Sequence, residues 1–318
     1  MKKKLLAVIT AAVLALSLVA CGGGKDSKTY KIGICQLVQH PALDAASQGF
    51  QDTLIEKLGE DKVTFDLQNA AGESATCATI VNGFVSDGDD LILANATASL
   101  QASAAATADI PILGTSITDY ATALEIEDWT GTVGNNISGT SDLAPLDEQA
   151  NMIKELFPEA KTVGLVFCSA EPNSAYQVKT IAGHLKDLGI ESKEYAFADS
   201  NDVASVVKSA GANSDVLYIP TDNTAASCTE AIAGANDAAP IVCGEEGICK
   251  GCGVATLSID YYELGQATGE MAYKVLVEGE DITKMPVEFA PNVTKKFNKA
   301  NCEKFGVTIP EGYEEIAE

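Results

Sequence analysis

From Lys31 onward two patterns alternate along the chain. β-rich apolar runs (KIGICQL, VTFDLQN, DLILAN, IPILGTS, TVGLVFC, SKEYAFA, DVLYIP and PIVCGE) read as strands. Segments with helical spacing, from ALDAASQGFQDTLIEKLG to TAASCTEAIAGANDA, separate them. Apolar strands alternating with helices predict parallel sheets covered on both faces. The series runs once over about 30–120 and again over about 160–245. Between them WTGTVGNNISGTSD, Trp129 to Asp142, has no period and is rich in Gly, Asn, Ser and Thr, so it reads as a connection between lobes rather than a core element. The strand VATLSI and the long helix after it are expected to cross back to the first lobe, and the tail over about 286–310 to return to the second.

The expected fold class is therefore α/β, two Rossmann-like lobes with parallel sheets joined by a multi-strand hinge. The division reads as a signal peptide (1–20), a lipidated tether (21–29), a first lobe (30–139 with about 257–285) and a second (140–256 with about 286–318). At 318 residues the chain exceeds a usual single core. Its formal net charge of −24 makes nucleic acid and anionic membrane surfaces poor partners, and no nucleic acid is expected.

The N-terminus adds a destination. Lys2, Lys3 and Lys4 precede an apolar run that ends at Cys21, the pattern of a secretory signal. Leu18-Val19-Ala20-Cys21 resembles a bacterial lipobox, which implies cleavage before Cys21 and a diacylglyceryl thioether on its sulfur. A plain signal peptide is the alternative. Cleavage would remove three lysines and take the charge from −24 to −27.

Most of the remaining cysteines lie in apolar runs, as small buried hydrophobes do. Cys249 and Cys252 form one CxxC, but a second pair is missing and His40 and His184 are the only histidines, so no metal is expected. A disulfide among Cys243, Cys249 and Cys252 suits an exported protein better. Neither GxGxxG after the first strand nor GxxxxGK[ST] occurs, which disfavours a nucleotide cofactor.

Ligands of doubly wound sheets bind outside the carboxyl ends of the strands. Those ends carry Gln36 and His40, then Asn95 and Thr97, then Ser116, Thr118 and Asp119 in the first series. The second series supplies Ser169, Glu171, Asn173 and Ser174, then Thr221, Asp222 and Asn223, then Glu245 and Glu246. Asp260 and Tyr261 follow the last strand. Any one of these serves equally well as a helix N-cap. Together, helix N-termini and hydroxyls suit a carboxylate, while Asp222, Glu246 and Asp260 suit an ammonium, so the rim fits a zwitterionic amino acid. Tyr120, Tyr176, Tyr218, Tyr261 and Trp129 are candidates to clamp a flat side chain, with ordinary packing as the alternative.

QLVQHPALD, SAEPNS, PTDNT and IDYYELG, with NATAS, SITD and SGTSD, resemble the ABC-transporter substrate-binding lipoproteins of the tryptophan/tyrosine type, within the type I periplasmic-binding superfamily. The resemblance covers about 30–310. It implies a lipid-anchored, extracytoplasmic, non-enzymatic protein that closes on an aromatic amino acid and delivers it to permease transmembrane subunits with their ATPase. It also implies ligand roles for His40, Thr97, Thr118, Asp119, Ser169, Asn173, Ser174, Thr221, Asp222, Asn223, Asp260 and Tyr261. Gly244-Glu245-Glu246-Gly247 resembles the Gly-x-Glu-Gly turn of branched-chain amino-acid binding proteins, which points Glu246 at an ammonium. Two departures bear on the ligand: Asn95-Ala96-Thr97-Ala98 stands where relatives read A-T-P, and Ile117-Thr118-Asp119-Tyr120 where they read V-T-D-P, so Tyr120 is expected to alter the side-chain pocket.

Other readings stay open from the residues. The ligand could be a sugar, nucleoside or other small solute, or the protein a sensor that docks on a receptor. Catalysis has one candidate pair, Cys168 as nucleophile with His40 as base, but these fall in different lobes and no triad order or metal spacing supports them.

Overall fold

The computed structural model describes residues 28–290 and 292–317. The signal peptide, Cys21 and most of the tether lie outside the described residues. The first lobe begins with β1 (Tyr30–Gln36), α1 (Pro41–Leu58), β2 (Val63–Asn69), α2 (Ser74–Asp87), β3 (Leu91–Asn95), α3 (Thr97–Ala106), β4 (Ile112–Ile117), α4 (Tyr120–Ala123) and β5 (Ile137–Ser141). The second holds α5 (Leu146–Leu156), β6 (Thr162–Cys168), α6 (Pro172–Asp187), β7 (Glu191–Phe197), α7 (Val203–Ala212), β8 (Val216–Ile219), α8 (Asn223–Ser227), α9 (Thr229–Ala235), β9 (Ile241–Cys243), α10 (Glu246–Cys252) and β10 (Ala255–Ser258). Then come α11 (Tyr261–Tyr273), β11 (Glu288–Phe289), β12 (Thr294–Phe297), α12 (Lys299–Phe305) and β13 (Glu314–Glu315).

Two sheets result, in the orders β11-β5-β4-β3-β1-β2 and β13-β12-β10-β9-β8-β6-β7. Every pairing is parallel except β10 with β12. The central strands β3 and β4 are buried at every position, as the apolar runs require. Helices pack on both faces, with separate apolar clusters around Phe84 and Ile92 in one lobe and around Ile181 and Val216 in the other. Among the described residues no helix is long and apolar enough to cross a membrane.

Three sequence expectations are corrected. The end of the Trp129–Asp142 stretch is not a mere connection: Ile137–Ser141 is a fully buried strand paired with β4 and β11. Its polar side chains find partners outside the strand, Thr140 Oγ1 with Thr268 Oγ1 at 2.8 Å and Ser138 Oγ with the Met285 carbonyl at 3.1 Å. The strand VATLSI stays in the second sheet, because Ala255 and Thr256 pair with Val242 and Cys243 and with β12 beyond. The first lobe is completed later, by α11, which lies against α1, and by β11 at its sheet edge. The chain thus crosses between β5 and α5, between β10 and α11, and between β11 and β12. Finally, Cys243, Cys249 and Cys252 carry free thiols, not a disulfide, and pack as small apolar groups in the second core. Among the described residues no cluster of His, Cys, Asp and Glu could hold a metal ion.

Candidate functional site

The carboxyl ends of both sheets face one cleft, and the lobes touch across it. His40, at the N-cap of α1, places Nε2 3.3 Å from Asn223 Oδ1 of the opposite lobe. Tyr261, at the start of α11, donates its hydroxyl to Asp142 Oδ2 at 3.0 Å and also reaches the Thr221 hydroxyl. A groove of about 450 Å³ opens beside this centre, between Pro41 and Ala42 of α1 and Gly247 and Lys250 of α10, with Glu245 and Tyr261 in its wall.

Inside the first-lobe rim, buried polar atoms stand without a partner: His40 Nδ1, Asn95 Oδ1, Ser116 Oγ and Asp142 Oδ1. Such atoms are costly to bury unless something completes their hydrogen bonds. The backbone is strained at the same place, with φ of 85° at Ala96 and 56° at Ser116, and β4 slips register against β5 between Gly114 and Ile117. Ala96 cannot cap α3, so the first N–H groups of that ten-residue helix are open. Ser116 lies beside them, since the Ala96 amide donates to the Thr115 carbonyl. One strand further, Ile117 pairs with Ser141 and the Asp142 amide donates to the Ile117 carbonyl, which brings Asp142 alongside Ser116.

Electrostatics divide these groups. Burial raises the Asp142 carboxyl to about 6, with the Tyr261 and Thr118 hydroxyls pulling against it. Burial likewise raises Glu245 to about 7, although its two oxygens accept the Gly247 and Ile248 amides. Tyr261 is driven well above the usual phenol range by burial and by the Asp142 and Glu245 charges. The chain contains no arginine.

The sequence-derived residues fall into two groups. His40, Thr97, Ser116, Thr118, Thr221, Asn223 and Tyr261 meet at the cleft. The acids assigned to an ammonium are otherwise engaged. Asp222 is buried beneath the rim, where Oδ1 accepts the Ala225 amide at 2.8 Å and Oδ2 the Cys168 amide at 2.7 Å; burial and the Glu171 charge push its carboxyl up. Asp260 is exposed and caps α11. Glu246 forms an ion pair with Lys296 at 2.5 Å on the groove wall. Asp119 caps α4 through the Thr122 amide. Ser169 is exposed and donates to the Phe197 carbonyl, so it turns from the cleft. Ser174 lies under the rim with Asp222. Gln36 and the amide nitrogen of Asn95 point into the first lobe, bonding Asp44, Ser47 and the Leu43 carbonyl. Asn173 donates to Glu171 and to the Thr221 carbonyl.

The aromatics sort likewise. Tyr120 does not enter the ligand pocket: it is buried in the first lobe, stacks on Trp129 at 6.4 Å and bonds the Thr140 carbonyl. Tyr218 is in the second core, bonded to Gln149. Tyr261 is at the cleft, and Tyr176 sits where α6 meets α4, close enough to feel the Asp119 charge. Cys168 is not an activated nucleophile, since burial and the Asp222 charge raise its thiol. Sequence reasoning passed over Asp142, and it placed Glu171 and Glu245 at strand ends without giving either a specific role. The available signal for Asp142 was an acid directly after a strand, hidden because β5 reads as polar.

Comparison with known proteins places this geometry. A curated relative, the tyrosine-binding protein of Clostridioides difficile (strain R20291), is 38% identical over 302 residues, covering 90% of this chain and 87% of its own. A crystal structure from Streptococcus pneumonia in complex with L-Trp superposes with a TM-score of 0.86 at 33% identity, covering 91% of this chain and 100% of the other. A ligand-free, open substrate binding protein with adhesive properties from Clostridium difficile gives 0.70 at 35% identity, covering 91% and 99%. At nearly equal identity the fit is better to the liganded form, in keeping with the lobe-to-lobe contacts here. These similarities extend to the two-lobed type I periplasmic-binding fold. The model of the ABC transporter substrate binding protein family matches residues 31–317, and the chain belongs to that family of binding proteins.

Proposed function

We propose that this protein captures an L-amino acid with an aromatic side chain between its lobes and hands it to an ABC permease and its ATPase. The observation that carries the reading is the pairing of two orphaned buried groups on adjacent strand ends, Asp142 Oδ1 and Ser116 Oγ. An ionised Asp142 only accepts, which suits an ammonium. Ser116 Oγ with the open N–H groups of α3 suits a carboxylate held by neutral donors. The relatives named for tyrosine and solved with L-Trp support the aromatic side chain. The protein works outside the cytoplasm, held to the membrane by a lipid on Cys21, and closure about the crossings is driven by a ligand that touches both lobes. A Cys21→Ser chain is then released in soluble form.

Calorimetry with L-tyrosine, L-tryptophan, their N-acetyl derivatives and a panel of pentoses tests the ligand. The free L-amino acids bind, and at 100 times Kd they raise stability by about 2.7 kcal/mol. The N-acetyl forms, which lack the ammonium, do not. Binding of a pentose alone, or equal binding of N-acetyl-L-tyrosine, overturns the proposal.

A further inference from the structure

Glu171, on the loop between β6 and α6, is buried and encircled by donors. Its Oε1 accepts from the Thr224 amide at 2.8 Å and the Thr224 hydroxyl at 2.7 Å. Its Oε2 accepts from the Asn223 amide nitrogen of the side chain at 2.7 Å, the Asn223 backbone at 3.1 Å and Asn173 Nδ2 at 3.1 Å. A carboxylate that takes Nδ2 of Asn223 leaves that side chain one orientation, with Oδ1 facing the first lobe. There it meets His40 Nε2. Oδ1 can only accept, so Nε2 must carry the proton. Nδ1 then holds a bare lone pair, and it is the ring nitrogen left buried and unpartnered. Burial lowers the imidazole's proton affinity, against the Glu171 and Asp44 charges, which agrees with a neutral ring.

Position says what that lone pair is for. Asp142 follows β5 and His40 follows β1, and the sheet order β5-β4-β3-β1 sets the two three strand spacings apart, about 14 Å. A ligand whose ammonium bonds Asp142 and whose side-chain donor bonds His40 spans about 13 Å if it is a tyrosine and about 12 Å if it is a tryptophan, counting a hydrogen bond at each end. We propose that Glu171 is a positioning residue which, through Asn223, fixes His40 as the Nε2–H tautomer, so that Nδ1 selects an aromatic side chain bearing an O–H or N–H donor at its tip. This rests on the amino-acid reading above for the ligand's orientation. The tautomer relay stands apart from it.

Two measurements test the proposal. Nitrogen NMR of histidine-labelled protein is simple to assign, because His184 is the one other histidine. The His40 signal is expected as the Nε2–H tautomer, and adding L-tyrosine or L-tryptophan moves the Nδ1 resonance toward the hydrogen-bonded position. In Asn223→Ala, where Glu171 keeps its backbone and Thr224 partners, the tautomer becomes mixed; Glu171→Gln does the same if it folds. Calorimetry supplies the second readout. Whichever of the two amino acids binds tighter should exceed its donorless analogue, L-phenylalanine or 3-benzothienyl-L-alanine, at least tenfold, and Asn223→Ala should bring that ratio to within threefold of one. An Nδ1–H tautomer, or a wild-type ratio near one, overturns the relay or the selection respectively. Failure of every amino acid to bind overturns the ligand reading and the selection together, while the tautomer still reports on the relay.

Discussion

Asp142→Asn separates binding from folding, because the two should move in opposite directions. The wild-type carboxyl is buried and held at about 6 instead of the ordinary 3.8. That gap corresponds to about 3 kcal/mol by which the ionised group opposes folding. Since the folded-state value lies above the unfolded one, Asp142 favours folding fully below about pH 4, and that contribution is lost as pH rises through about 6. Asparagine does not titrate. Ligand-free Asp142→Asn should therefore match the wild type near pH 4 and exceed it at pH 8, by up to about 3 kcal/mol less the cost of burying its own amide. Binding should go the other way. An ammonium left without its counter-charge in a closed cleft loses about 3 kcal/mol, close to two orders of magnitude in Kd. Wild-type affinity should itself fall about tenfold from pH 7.5 to pH 5, as Asp142 takes up its proton, and the variant should lose this slope. Urea melts of the ligand-free proteins and titration calorimetry with L-tyrosine at both pH values give all four quantities. Unchanged affinity in the variant, or a pH slope that persists without the carboxyl, would refute the reasoning.

Tyr261→Phe removes the hydroxyl that joins Asp142 to Thr221; affinity should drop about tenfold, read by calorimetry, while the melting curve of the free protein moves little. Glu246→Gln breaks a half-buried pair with Lys296 that already engages the carboxylate, so amino-acid affinity should change less than about threefold. A large loss would restore Glu246 to the ammonium role. Gly139→Ala should abolish folding of the first lobe by circular dichroism, because its φ of 142° and its contact with the Gly114 carbonyl leave no room for a methyl group. A folded, binding-competent variant would show that β4 and β5 can separate without harm.

The apolar runs were legible because buried parallel strands need hydrophobic side chains on both faces, and their helices follow by spacing. β5 escaped for the opposite reason: Ser138 and Thr140 are buried among partners that a linear pattern does not reveal. With β5 went Asp142. Of the acids that strand-end position or resemblance singled out, Asp119, Asp222 and Asp260 each accept backbone amides at a helix start, a role equally legible in the sequence. Choosing between Glu245 and Glu246 required the turn's direction, which puts the first in the interior and the second against Lys296. Tyr120, in place of a proline, turned inward because Gly114 and Gly139 leave a space its ring and hydroxyl fill.

The seam between α1 and α11 has a consequence for how the molecule is made. Side chains on Gly49 and Gly265 would collide with the carbonyls of Tyr262 and Ala46, so these helices interlock backbone to backbone. They are separated by some two hundred residues, among them most of the second lobe, from α5 through β10. The half that emerges first from the ribosome is therefore the half that must wait, its glycine face open, while its neighbour has every strand through β10 already in hand. A chain cut short before Tyr261 would strip the older half of the helix its glycine face is shaped for, and the newer half only of its edge strands β12 and β13.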